Sequence, residues 1–198
     1  MPTPKRRKPA PAATGRILQL KIVLRDTKHP VWRTVQVAGD VTLRQLHAIL
    51  QLTMGWENAH LHEFRVDGVS YGEPNDEFDT DVKDERRVRL AQVASEAGAS
   101  LTYLYDFGDG WEHDVIVEKN LPPEPRVRYP LCLEGEGACP PEDVGGAWGY
   151  HEFLAAIHDP SNEQHDEMLE WVGGAFDPGR FDVRATNEAF DRFGPLAR

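Results

Sequence analysis

The chain has 198 residues, 40% hydrophobic and 28% charged, which suits one well-buried domain or one domain with a small appendage. No apolar run approaches the ~18 residues of a membrane span, and the N-terminus lacks the apolar segment of a secretory signal, so a cytoplasmic protein with no membrane partner is expected. The net charge is −11; residues 1–16 carry five cations and no acid, which leaves −16 on a body that repels phosphate backbones.

Residues 1–15 are basic and rich in Pro and Ala, and read as a disordered tail. The tail is either a solvated leader or a weak nucleic-acid contact through Lys5, Arg6, Arg7 and Lys8. Residues 16–198 read as a single α+β domain with a helical C-terminal subregion over 147–198. Residues 17–24 alternate, with Leu18, Leu20, Ile22 and Leu24 on one face, and predict a strand. A turn ending at Pro30 leads to a second strand over 31–37 with Val31, Val35 and Val37 on one side.

Thr42 and Gln45 have capping-box spacing, and Gly55 sits where a helix would stop. Between them Leu43, Leu46, Ile49 and Leu50 recur at helical spacing. A third strand over 61–66 completes a strand–strand–helix–strand order, that of a β-grasp-like mixed sheet in the α+β class. Residues 72–87, polar and acidic, read as an exposed loop. Leu90, Val93, Ala94 and Ala97 predict a short helix ended by Gly98. After the hairpin at 101–118, Pro122, Pro123 and Pro125 break the chain. Tyr150, Phe153, Leu154 and Ile157 then form a helical stripe. A further helix, capped by Ser161 or Asn162, carries Met168, Leu169, Trp171 and Val172 and stops at Gly173-Gly174. Asp182 opens a last helix with Phe190 and Phe193.

The hairpin reads Y-L-Y-D-F-G-D-G-W-E-H over 103–113. Asp109-Gly110 is a strong two-residue turn signal, because both central positions of a type I′ turn need positive φ. That turn would set Gly108 opposite Trp111, Phe107 opposite Glu112, Asp106 opposite His113 and Leu104 opposite Val115. One face would carry Leu104, Asp106, Trp111, His113, Val115 and Val117, with Asp106 and His113 in hydrogen-bonding reach. The pair is either a structural clasp or an acid–base or metal-binding pair, with Asp106, Asp109, Glu112 and His113 as catalytic candidates.

Residues 139–146 read C-P-P-E-D-V-G-G, and Tyr150 follows. Two prolines stiffen the approach, and Gly145 and Gly146 free the backbone at a helix start. Glu142 and Asp143 would either cap backbone N–H groups or bind a divalent cation together with His113 and the hairpin. Trp111, Glu142, Asp143, Gly145, Gly146 and Tyr150 are the binding candidates. His60 and His62, two apart, are metal-compatible but read more simply as surface residues. Cys132 and Cys139 are free thiols, a redox pair or two ligands, and their spacing is not that of structural zinc. The five tryptophans read as core or seam residues. Kinase, EF-hand, P-loop, dinucleotide-binding and nucleophile-elbow patterns are absent.

Val31-Trp32-Arg33, Leu46-His47, Met54-Gly55-Trp56 with His60-Leu61, the Tyr105–Asp109 run with Trp111-Glu112-His113, and Cys139–Asp143 with Gly145-Gly146 and Gly149-Tyr150 together resemble the plasmid Ri open-reading-frame-three-like family. The resemblance covers roughly residues 17–193 and includes insertion-element passenger proteins labelled TnpR. It implies an α+β fold and a link to mobile elements, and no established reaction. The family pattern has a cysteine where this chain has Val144, which argues against a metal cluster there. The resolvase sense of the label is opposed by the residues, since no serine precedes Ser70. A non-catalytic binding or accessory protein of mobile-element origin is therefore expected. The alternative is a metal-dependent hydrolase acting on phosphoesters through Asp106, Asp109, Glu112, His113, Glu142 and Asp143.

Overall fold

The computed structural model describes residues 15–74 and 81–193. The basic residues Lys5, Arg6, Arg7 and Lys8 lie outside the described residues. The elements in chain order are β1 (Ile17–Leu24), β2 (Trp32–Ala38), α1 (Leu43–Met54), β3 (His62–Val66), β4 (Val69–Gly72), β5 (Lys83–Asp84), a 3-10 turn (Glu85–Arg87), α2 (Leu90–Val93), β6 (Ser100–Tyr105), β7 (Trp111–Leu121), β8 (Leu131–Glu136), α3 (Gly146–His158), α4 (His165–Trp171) and α5 (Val183–Phe193).

The strands form one mixed eight-stranded sheet in the order β5-β4-β3-β6-β7-β1-β2-β8, and the fold is α+β. Among the described residues β4–β5 is the one parallel pair, and the other neighbouring strands run antiparallel. The β1–β2 hairpin, α1 and β3 follow the order read from the periodicity. The Thr42 hydroxyl accepts from the Gln45 N–H, the Gln45 side chain accepts from the Thr42 N–H, and Gly55 closes α1 in the left-handed region.

Period two then dictates what each side of the sheet meets. Leu18, Leu20, Ile22, Val35, Val37, Phe64, Tyr103, Val115 and Val117 are almost fully buried and pack with Leu43, Leu46, Ile49 and Leu50 of α1. The opposite side carries a polar lattice. Arg25 bridges Glu112 and Asp114, Gln19 donates to Glu118, and the Trp32 indole N–H donates to Glu136.

Several expectations give way to the structure. Residues 72–87 are not one exposed loop: β5 and the 3-10 turn occupy 83–87, and Glu85 is 1% exposed. The 90–97 helix is shortened to four residues. Neither Ser161 nor Asn162 caps α4, whose N-cap position is Gln164. Asp182 does open α5, its carboxylate accepting from the Ala185 N–H at 3.0 Å. Strand β8 carried no alternation to reveal it; its far edge is closed by the Asn187 side chain, which exchanges two 2.9 Å hydrogen bonds with the Cys132 backbone.

The hairpin register differs most. Tyr103 faces His113, Leu104 faces Glu112 and Tyr105 faces Trp111, so Asp106 is not opposite His113. The cause is Asp106 itself. Its carbonyl accepts from the Gly110 N–H at 2.7 Å, and its carboxylate accepts from the Gly108 N–H at 2.9 Å and the Asp109 N–H at 3.3 Å. An aspartate that captures the next donors builds its own turn, and the loop spans 106–110 in place of a two-residue reversal. The odd shift also turns Leu104 away from the core and puts Leu101, Tyr103 and Tyr105 there instead.

Candidate functional site

The hairpin loop, the approach to β3 and the 139–145 loop converge at the edge of the core. The Asp106 backbone N–H donates to the Leu61 carbonyl at 2.9 Å, which fastens the hairpin tip to the segment carrying His60. Asp106 is 7% exposed, with φ 56°. One carboxylate oxygen is engaged by its own turn, so the other, Oδ2, faces His60 Nε2 at 3.7 Å.

The 139–145 loop is tied down from three sides. The Trp56 indole N–H donates to the Pro140 carbonyl at 3.0 Å. The Glu142 carboxylate accepts from the Glu57 N–H at 2.9 Å and the Tyr105 hydroxyl at 3.0 Å. Asp109 accepts from the Gly145 N–H at 3.1 Å. Gly146, at φ 69°, has no room for a side chain: a Cβ there would run into the Asp109 carbonyl. Thus the hairpin acid, and not Glu142 or Asp143, holds the start of α3. Glu142 serves a backbone donor on the neighbouring segment.

These ties bring Glu142 Oε2 within 3.7 Å and Asp143 Oδ1 within 3.2 Å of His60 Nε2. His60, Asp106 and Asp143 each offer one donor atom, all within 4.8 Å of one another, and they form the one group of this kind among the described residues. The His60 Nε2 atom is buried, and none of the three carboxylates gives it hydrogen-bond geometry. Two metal–ligand bonds of about 2.1 Å meeting near 90–110° hold their donor atoms about 3.0–3.4 Å apart. Asp143 Oδ1, at 3.2 Å, lies in that range; Asp106 Oδ2 and Glu142 Oε2, at 3.7 Å, lie a few tenths of an ångström beyond it, and farther still from the usual N–H···O distance of about 2.9 Å. The donor set, one imidazole with carboxylates, suits a first-row divalent ion.

The remaining candidates lie elsewhere. His113 is wholly buried; its Nδ1–H donates to the Tyr103 carbonyl at 3.2 Å, and burial pushes its pKa down to about 4. It packs edge-on against Trp56, and is absent from the His60 group. Glu112 faces the polar lattice with Arg25. Trp111 and Tyr150 are core residues, at 2% and 1% exposure. Trp148 and Trp171, at 70% and 46%, are not. Cys132 and Cys139 are free thiols, and burial pushes both upward, Cys132 to about 11.

The residues the patterns passed over are polar ones on apolar faces. His47 lies on the buried stripe of α1, and His62 is 9% exposed where a surface histidine was expected. His62 Nε2 meets Glu85 Oε2 at 2.7 Å, and Arg44 reaches the other Glu85 oxygen at 3.3 Å. A histidine repeating with leucines at helical spacing was the available signal for His47.

The sequence model of the plasmid pRiA4b ORF-3-like protein family matches residues 16–185, and the chain belongs to that family. An uncharacterized protein of Sinorhizobium fredii, y4hQ, is 44% identical over 177 residues, 88% of this chain and 91% of the relative. A crystal structure of a protein of unknown function from Methanosarcina mazei Go1, MM3350, superposes with a TM-score of 0.78 at 33% identity, covering 86% of this chain and 98% of that one. No helix among the described residues is long and apolar enough to cross a membrane.

Proposed function

We propose that the protein is a non-catalytic accessory protein of mobile-element origin that binds a divalent cation through His60, Asp106 and Asp143, with Glu142 beside them. The observation supporting this is the buried His60 Nε2, which faces three carboxylates and has no hydrogen-bond partner. An ion there cross-links three chain segments and relieves the repulsion among their acids. The acidic body favours a cation as the ligand. The plasmid namesake of the family supports the mobile-element origin.

Calorimetric titration with Mn2+ tests the reading. One ion per chain is expected, with at least tenfold weaker binding in His60→Ala and in Asp143→Asn, and unchanged binding in Glu112→Gln. No uptake by the wild type, or equal uptake by His60→Ala, would refute it.

A second reading, a metal-dependent hydrolase of phosphoesters, is favoured by two features. The Asp143 side chain is 74% exposed, which leaves one side of the centre open to water. A cleft of about 300 Å³ between α3 and α4 begins at Asp143 and runs to Met168 and Trp171. Mn2+-dependent cleavage of bis(p-nitrophenyl) phosphate that disappears in His60→Ala would select it, and a rate equal to that of free Mn2+ would reject it.

A further inference from the structure

Beneath the segment that carries His60 lies a closed ring of four hydrogen bonds. The Asn58 backbone N–H donates to Gln51 Oε1 at 2.9 Å. That fixes the Gln51 amide, whose Nε2 donates to the Tyr103 hydroxyl at 3.0 Å. The hydroxyl proton then points at His47 Nδ1, 2.8 Å away. His47 therefore carries its proton on Nε2 and donates to Asn58 Oδ1 at 2.6 Å, which closes the ring. Each donor meets one acceptor, and the backbone N–H of Asn58 sets the direction of the whole circuit.

Three of the four members are buried: His47 is 1%, Gln51 3% and Tyr103 0% exposed. They come from α1 and β6, which the core holds in place. The fourth, Asn58, is exposed and sits at φ 58°, a region that asparagine enters more readily than most residues. The next two backbone N–H groups, of Ala59 and His60, turn to the Tyr105 hydroxyl at 3.0 and 3.4 Å, and that hydroxyl donates to Glu142. His60 thus hangs between two anchors, one in the core and one shared with the acids it faces.

We infer that the His47–Tyr103–Gln51–Asn58 ring is the positioning device of the cation centre, tuning the affinity for the ion by fixing the backbone that presents His60. The inference rests on the reading of His60, Asp106 and Asp143 as an ion site. None of the four ring residues touches the ion; they act by pre-arranging a ligand, as the groups behind a metal ligand commonly do.

The test is Co2+ titration of full-length protein, read as affinity and as the visible absorption of the bound ion. Tyr103→Phe deletes the hydroxyl that joins Gln51 to His47. Asn58→Gly deletes one acceptor and suits the left-handed backbone, so it keeps the fold even where Tyr103→Phe does not. Each is expected to weaken Co2+ binding at least tenfold and to change the absorption spectrum. Leu20→Ala, a core cavity in β1 far along the chain from the ring, is the control for lost stability; it should keep affinity within twofold and an unchanged spectrum at a temperature where it is folded. Wild-type affinity and spectrum in Asn58→Gly would overturn the inference while leaving the ion site intact. An equal loss in Leu20→Ala would overturn it as a mere effect of stability. No Co2+ binding by the wild type, or undiminished binding by His60→Ala, would overturn the ion site and the inference together.

Discussion

His47 and His62 lie face to face in the core, their ring centroids 3.5 Å apart and their planes within 4°. Burial, and after it the nearness of His62, push His47 down to about 3; burial alone leads for His113, at about 4. Both are held neutral in the folded chain, while the unfolded chain protonates them near the ordinary imidazole value of 6.5. The unfolded state therefore binds more protons below that point, and stability falls with pH. Urea denaturation between pH 6.5 and 5 should show a loss approaching about 1.4 kcal/mol per pH unit for each histidine. This window lies above the Glu85 range, since that carboxyl, lowered in the fold, adds its own loss only below the ordinary carboxyl value of 4.5. Stability flat across this window would contradict the burial of both imidazoles as neutral groups.

Glu85 joins the 3-10 turn to β3 through His62 and to α1 through Arg44. Its loss leaves His62 Nε2 in the core without its acceptor. Glu85→Ala is expected to cost about 3 kcal/mol in chemical denaturation, as for a broken buried pair. Breaking the exposed pair Arg184–Glu188 should by contrast leave the denaturation midpoint almost unchanged.

Arg33 is 1% exposed, and its guanidinium donates to the carbonyls of Trp32, Thr53, Glu136 and Gly137 at 2.7–3.2 Å. The Phe181 ring lies 3.8 Å away, over Gly135, where a Cβ would strike that ring. Lysine has neither the fork nor the planar face. Arg33→Lys should lower stability by about 3 kcal/mol, most of it from carbonyls left unpaired. A thermal melt matching the wild type would show that this fork does not hold β2 and β8 to α1.

Gly146→Ala puts a methyl group against the Asp109 carbonyl at a backbone angle that disfavours it. A cost of about 2–3 kcal/mol is expected from strain and overlap together. Asp109→Ala, which removes only the carboxylate bond to the Gly145 N–H, should cost about 1 kcal/mol. Equal effects would mean that the close approach at Gly146 does not fix α3 to the hairpin.

What the sequence disclosed tracks how local each signal was. The Thr42–Gln45 box and the Gly55 stop lie within one helix, and both formed as read. The β1 face followed from alternation alone. The Asp109-Gly110 turn failed because an aspartate three residues earlier competed for the same backbone donors. The proposed cation centre draws His60, Asp106 and Asp143 from three distant segments, so no spacing could reveal it, although the hairpin and the 139–145 loop each showed one of its three residues. His113 was conspicuous in the sequence and is a core residue, whereas His60 looked ordinary and faces the acids.

The most direct measurement is anomalous diffraction from a crystal of the full-length protein soaked with Mn2+. A single peak bonded to His60 Nε2 and to carboxylate oxygens of Asp106 and Asp143 is expected. No peak there, with the His60 imidazole hydrogen-bonded directly to one of the carboxylates, would contradict the cation centre.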